Sequence, residues 1–147
     1  MIIEVQGGSK KRKELAASLA EFCARKFMPR MSDSIYLKID IIRNLLDKEG
    51  VHGDCEWMDT DYRPKEFTIR LNSGDPDQEF FETLAHEMVH LKQFAKDELK
   101  YKCDNTTRYN KTVYPENISY WDMPWEIEAH GRERGLVVMW EEERKKK

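Results

Sequence analysis

The opening residues Ile2-Ile3-Glu4-Val5-Gln6 alternate weakly and run into Gly7-Gly8, which predicts a short strand and a turn. Ser9 is placed to cap a helix over roughly 10–28. Leu15, Leu19, Phe22 and Phe27 fall near one stripe there, with Ala16, Ala20 and Cys23 beside them, and Pro29 ends it. Residues 35–42 are rich in β-formers, residues 55–58 read as a further strand, and Phe67, Ile69 and Leu71 alternate with Thr68 and Arg70 as a half-buried strand. Asn72-Ser73-Gly74-Asp75-Pro76 closes that strand with turn chemistry. The clearest helix follows, over roughly 77–98. Asp75 or Asp77 is its expected cap, and Phe81, Leu84, Met88, Leu91 and Ala95 form its apolar face. Residues 99–123 read as an irregular loop rich in Tyr and Asn. Pro124 opens a last helix to about 144, with a charged tail over 141–147 expected to fray. The pattern therefore predicts one α+β domain over 1–147. In it an N-terminal helix and a small, mostly antiparallel sheet pack on helix 77–98, and a C-terminal helix follows.

The chemistry concentrates at His86-Glu87-Met88-Val89-His90, an H-E-x-x-H. On a helix, residues i and i+4 share a face with Cβ atoms about 6 Å apart, so two imidazoles reach one Zn²⁺ at about 2.0–2.1 Å. Glu87 sits about 100° further round, close enough to serve a water as general base without being a ligand. Met88, about 200° away, turns to the core. With this His and Glu content the motif arises by accident in about one such chain in 80. A catalytic zinc takes three protein ligands and keeps a fourth position open. The third candidate lies in Pro124-Trp125-Glu126-Ile127-Glu128-Ala129-His130. Glu126 and His130 are at i, i+4 on one face, whereas Glu128 faces Arg132 and is explained by a surface ion pair. Glu126 is taken as the third ligand and His130 as a group beside it, with Glu128 and His130 as the alternatives. His52, between two turn regions, reads as a surface residue.

His86–His90 with a downstream Glu126-x-x-Ala129-His130 resembles the gluzincin branch of the zincin metallopeptidases. That resemblance implies a zincin-like fold and zinc held by His86, His90 and Glu126. It also implies peptide hydrolysis through a zinc-activated water, with Glu87 as base and His130 assisting. The branch more often has Asp or Asn where this chain has His130. The size and layout are also similar to SprT-like protease domains, whose pattern would place a third histidine, His130, on the metal and imply DNA-associated protein substrates. A zinc-bearing binding module without turnover is the non-enzymatic alternative, and an intact Glu87 speaks against it. The resemblance further implies that strand 67–71 is a sheet edge able to pair with extended substrate. One of Tyr109, Tyr114 or Tyr120 is expected to donate to the oxyanion.

Composition narrows the partners. Charged residues make up 36% and apolar ones 39%, with 25 basic against 28 acidic side chains and a net charge of -3. No global basic field exists to hold nucleic acid, and Lys10-Lys11-Arg12-Lys13 and Lys145-Lys146-Lys147 read as solvated ends. The expected partner is a protein or peptide substrate. Three scattered cysteines, no CxxC, no long apolar run and no secretory pattern in residues 1–14 predict a cytoplasmic, reducing setting and no membrane. The sequons at Asn105, Asn110 and Asn117 then read as loop-forming composition.

Overall fold

A computed structural model describes residues 1–60 and 62–146 of the chain. Asp61 and Lys147, the last residue of the C-terminal basic run, lie outside the described residues. Strand β1 (Ile2–Gln6) is followed by helix α1 (Lys10–Phe27), β2 (Tyr36–Ile42), a short helix α2 (Leu45–Glu49), β3 (Gly53–Trp57) and β4 (Glu66–Asn72). Then come α3 (Asp77–Ala95), β5 (Leu99–Tyr101), β6 (Thr107–Tyr109), β7 (Thr112–Tyr114) and α4 (Pro124–Lys145). Ser9 caps α1 as expected, its side chain accepting from the Arg12 amide at 3.1 Å.

The four-stranded sheet runs β1-β2-β4-β3. It corrects the expectation of a mostly antiparallel arrangement. β1, β2 and β4 are mutually parallel, and only β3 runs against its neighbour β4. The reason is connectivity: α1 carries the chain back across the sheet before β2 begins, and such a crossover makes its flanking strands parallel. Alternation could not reveal this, because it reports which face of a strand is buried and not its direction. Leu37, Ile39, Ile41, Phe67, Ile69 and Leu71 are all buried against the helices, while Lys38, Asp40, Thr68 and Arg70 take the other face. Two glycines permit close approaches here. A Cβ on Gly7, whose φ is +85°, would stand 2.2 Å from the Ile41 carbonyl oxygen, so the turn after β1 excludes a side chain. A Cβ on Gly53 would meet Thr83 of α3 at 2.8 Å, which is how β3 comes to lie against that helix.

β4 is also not an edge: β2 and β3 flank it, and the open edge on the α3 side is β3. Arg70 therefore guards no edge. Its guanidinium is held by Asp54 and by Glu49 at 2.7 Å. α3 is capped by neither Asp75 nor Asp77. Pro76 occupies the cap position, Asp77 stands in the first turn, and Asp75 turns back to Asn72 and His52. Arg12 ties α1 to this junction through the Ser73 carbonyl at 2.7 Å, the Asp75 carbonyl at 2.6 Å and Asp77 at 2.9 Å. One of the four basic residues near the N-terminus is thus already engaged.

Residues 99–123 are more ordered than expected. β5, β6 and β7 form a three-stranded antiparallel sheet, with Asn105 and Asn110 at φ of 68° and 53° in its turns. Strands of three residues are too short for alternation to register, and the Asn content that suggested loops supplies these left-handed turns. Nor is 141–147 a frayed tail throughout, since α4 continues to Lys145. Trp140 anchors this end, 1% exposed, with its indole N–H donating to Ser18 of α1 at 3.0 Å. All three cysteines are free. Cys23 is buried, which pushes its thiol up to about 12; Cys55 is half-buried and desolvation raises it well above 9.0; Cys103 is exposed between β5 and β6. Among the described residues no helix is long and apolar enough to cross a membrane.

Gly131 and Gly135 lie inside the continuous helix α4, and a Cβ at either would meet nothing within 4 Å. Glycine costs about 1 kcal/mol relative to alanine inside a helix. Gly135→Ala is expected to stabilise the protein by about that amount, read as a raised urea midpoint with an unchanged slope.

Candidate metal centre

α3 and α4 pack against each other and set the centre between them. Their sequences allow it: Ala129, small and fully buried, lets the two helices approach, while Met88 is buried in the core and the histidines turn toward the cleft. His86 Nε2 and His90 Nε2 are 3.2 Å apart, and Glu126 Oε1 lies 3.1 Å from the first and 3.2 Å from the second. A tetrahedral ion with bonds of 2.0–2.1 Å has ligand–ligand edges of about 3.3 Å. Three donors from two helices already stand at that spacing, and their chemistry, two imidazoles and a carboxylate, suits Zn²⁺ with one position left open. The residues fit the ion.

The atoms behind these donors fix their orientation. The Gln93 amide N–H₂ donates to the Trp125 carbonyl at 3.0 Å and to Glu128 at 2.8 Å. Both are acceptors only, so the Gln93 oxygen must face His90 Nδ1, at 2.8 Å. His90 then carries its proton on Nδ1 and keeps a lone pair on Nε2 for an ion. Glu133 does the same for the other histidine, accepting from His86 Nδ1 at 3.0 Å and from His130 Nδ1 at 3.1 Å.

Sequence reasoning missed both Gln93 and Glu133. Each lies three residues from a candidate site residue on its own helix, a spacing that was the available signal. Glu128 was also read too simply. Besides Arg132 at 3.1 Å it takes Lys92 at 2.7 Å and Tyr109 at 3.1 Å, making it the half-buried hub that locks Gln93.

His130 is close to the centre but does not join His86, His90 and Glu126. Its ring centroid is 4.5 Å from that of His86, and its nitrogens go to Glu133 and, at 2.8 Å, to the Tyr120 hydroxyl. Of the three tyrosines considered, only Tyr120 reaches the site, with its hydroxyl 3.1 Å from Glu126 Oε1. Tyr109 binds Glu128 and, like Tyr114, packs on Trp125. Trp121, 70% exposed, lies against His130 with ring centroids 5.2 Å apart. Tyr101 of β5 is half exposed, and desolvation on its inner side, aided by the charges of Glu126 and Glu87, pushes its hydroxyl up to about 12. His52 is exposed, as expected, and still touches the site. Its Nδ1 is 2.8 Å from the buried Asp75, and it lines the same cleft as His86, Glu87 and Tyr120.

The electrostatics follow from burial and pairing. Burial raises Glu87 to about 7, with His90 and His86 opposing. Burial would lower His86, but hydrogen bonds to Glu126 and Glu133 outweigh it and hold the imidazole at about 10. His90 is also raised against its burial, by Glu126. Glu126 is well below the carboxylate range despite burial, because both imidazoles donate to it. In the metal-free protein the stabilisation from protonated His86 is full below about 6.5 and is lost as pH rises toward 10. Glu87 acts in the same sense, keeping its proton to about 7 against 4.5 unfolded. Zinc needs both imidazoles neutral. Between about pH 6 and about pH 9, the melting temperature of chelator-treated protein is expected to fall while the increment from added zinc grows. Differential scanning calorimetry checks both trends.

Comparison of the chain with protein-family models, with curated proteins and with solved structures returned no match.

Proposed function

We propose that the protein is a zinc-dependent peptidase of gluzincin type, with His86, His90 and Glu126 as ligands. The carrying observation is the set of three donor atoms at 3.1–3.2 Å from one another, drawn from two helices, with both imidazoles oriented by fixed partners. A zinc ion bound there supplies Lewis-acid activation of water and of the substrate carbonyl.

Glu87 takes the proton from the attacking water and passes it to the departing amine nitrogen. Its buried position suits this, since a carboxylate poised near neutrality both accepts and returns a proton. The Tyr120 hydroxyl is placed to donate to the oxyanion that forms. His130 positions that hydroxyl and, through Glu133, the ring of His86. β3 replaces β4 as the edge that pairs with extended substrate, being the open strand beside α3. Such pairing reads the backbone and tolerates varied sequence.

The arrangement supports Glu126 over the SprT-like alternative of a third histidine, because His130 faces Glu133 and Tyr120. The test is zinc analysis of purified protein together with hydrolysis of an unfolded protein before and after chelation. Expected is one zinc per chain and activity that chelation removes and zinc restores. A protein that retains no zinc from excess metal refutes the reading.

A further inference from the structure

Resting on the peptidase reading above, we propose that the cleft selects substrates carrying a lysine or arginine at a residue adjoining the cleaved bond. The cleft holds about 390 Å³ and is walled by His86, Glu87, Thr83, Glu133 and the turn at His52. A second hollow of about 270 Å³ shares His52, Thr83 and Glu133 with it and adds Glu79 and Glu82. The two form one path that leaves the metal ligands and follows α3 toward its N-terminus. Neither is lined by Lys or Arg.

Spacing along α3 sets what fits. At 1.5 Å per residue, Glu82 lies about 6 Å and Glu79 about 10 Å from His86 along the axis. An extended lysine side chain spans about 6 Å from Cα to Nζ, and arginine slightly more. A residue whose backbone lies at the metal therefore brings its cationic head between these two carboxylates. Among the described residues neither carboxylate has an ion-pair partner, and Glu82 receives only the Gln78 amide, at 3.1 Å. At the metal end of the same path Glu87, 6% exposed, faces the cleft with no hydrogen-bond partner among the described residues, which leaves it open to what binds there.

Two readouts test this. Zinc-loaded protein is incubated with a peptide mixture derived from whole-cell protein, and the cut sites are read by mass spectrometry. Lysine and arginine are expected beside the cut about fivefold above their background frequency, the size two solvent-facing carboxylates provide. The enrichment should collapse toward one in Glu79→Gln/Glu82→Gln and shrink in about 0.5 M salt. Absence of enrichment, or the same enrichment in the double variant, overturns the proposal.

The second readout needs no turnover. A labelled alanine heptapeptide with one central lysine, and its norleucine twin, are titrated into zinc-loaded Glu87→Gln protein by fluorescence anisotropy. The lysine peptide is expected to bind about fivefold more tightly, with the difference gone in the triple variant; equal affinities overturn the proposal. A protein that cuts nothing yet discriminates these peptides keeps the pocket and loses the peptidase reading. One that cuts without discriminating does the reverse.

Discussion

Replacing Glu87 with glutamine is expected to lower kcat on an unstructured peptide by about 10³-fold while zinc stays bound. The size follows from the role. A positioned general base contributes about 10²–10⁴-fold, and the amide cannot accept the proton. Zinc should stay because none of the three donor atoms at the centre belongs to Glu87. The fold should stay too: glutamine has nearly the same volume, and among the described residues Glu87 makes no hydrogen bond that would be lost. Steady-state kinetics and elemental analysis of the same sample decide it. Undiminished hydrolysis in this variant would remove Glu87 from the chemistry and the peptidase reading with it.

The second large effect is loss of the metal. Glu126→Ala removes the carboxylate whose Oε1 lies against both Nε2 atoms, leaving two imidazole donors 3.2 Å apart and no third ligand between them among the described residues. Zinc content after dialysis is expected to fall to background, and activity with it. His130→Ala should retain zinc, because His130 supplies none of the three donor atoms; it packs edge-on against the His86 ring and bonds Glu133 and Tyr120. Its cost falls on catalysis, through a Tyr120 hydroxyl that has lost its 2.8 Å partner. Zinc lost from the His130 variant and kept by the Glu126 variant would falsify the ligand assignment.

Much of this centre was legible before any coordinates. The i, i+4 spacing of His86 and His90 puts two imidazoles on one face wherever a helix forms, and the apolar positions of α3 say that it forms. Glu126 was preferred to Glu128 because it shares a face with His130 at i, i+4 while Glu128 shares one with Arg132. The groups that orient the ligands were not legible, because Gln93 and Glu133 matter only once the crossing of α3 over α4 brings Gln93 to Trp125 and Glu133 to His86. A helical wheel describes one helix and holds no information about that crossing. The sheet shows the same limit. Its strands were found from alternation, but their direction depends on α1 returning across the sheet, and the edge role moved from β4 to β3 because β3 pairs outside its successor. His52 was read as a surface residue, and its place on the wall of the cleft that Glu87 also lines depends on Gly53 letting β3 approach Thr83.

Cys103 offers a practical consequence. Maleimides attack thiolates, and with Cys23 raised to about 12 and Cys55 well above its ordinary value, neither supplies much thiolate at neutral pH. A dye should therefore attach at a single point, on the turn just beyond Tyr101. From there its emission would report whether the small three-stranded sheet shifts when a peptide docks, with no engineered cysteine needed.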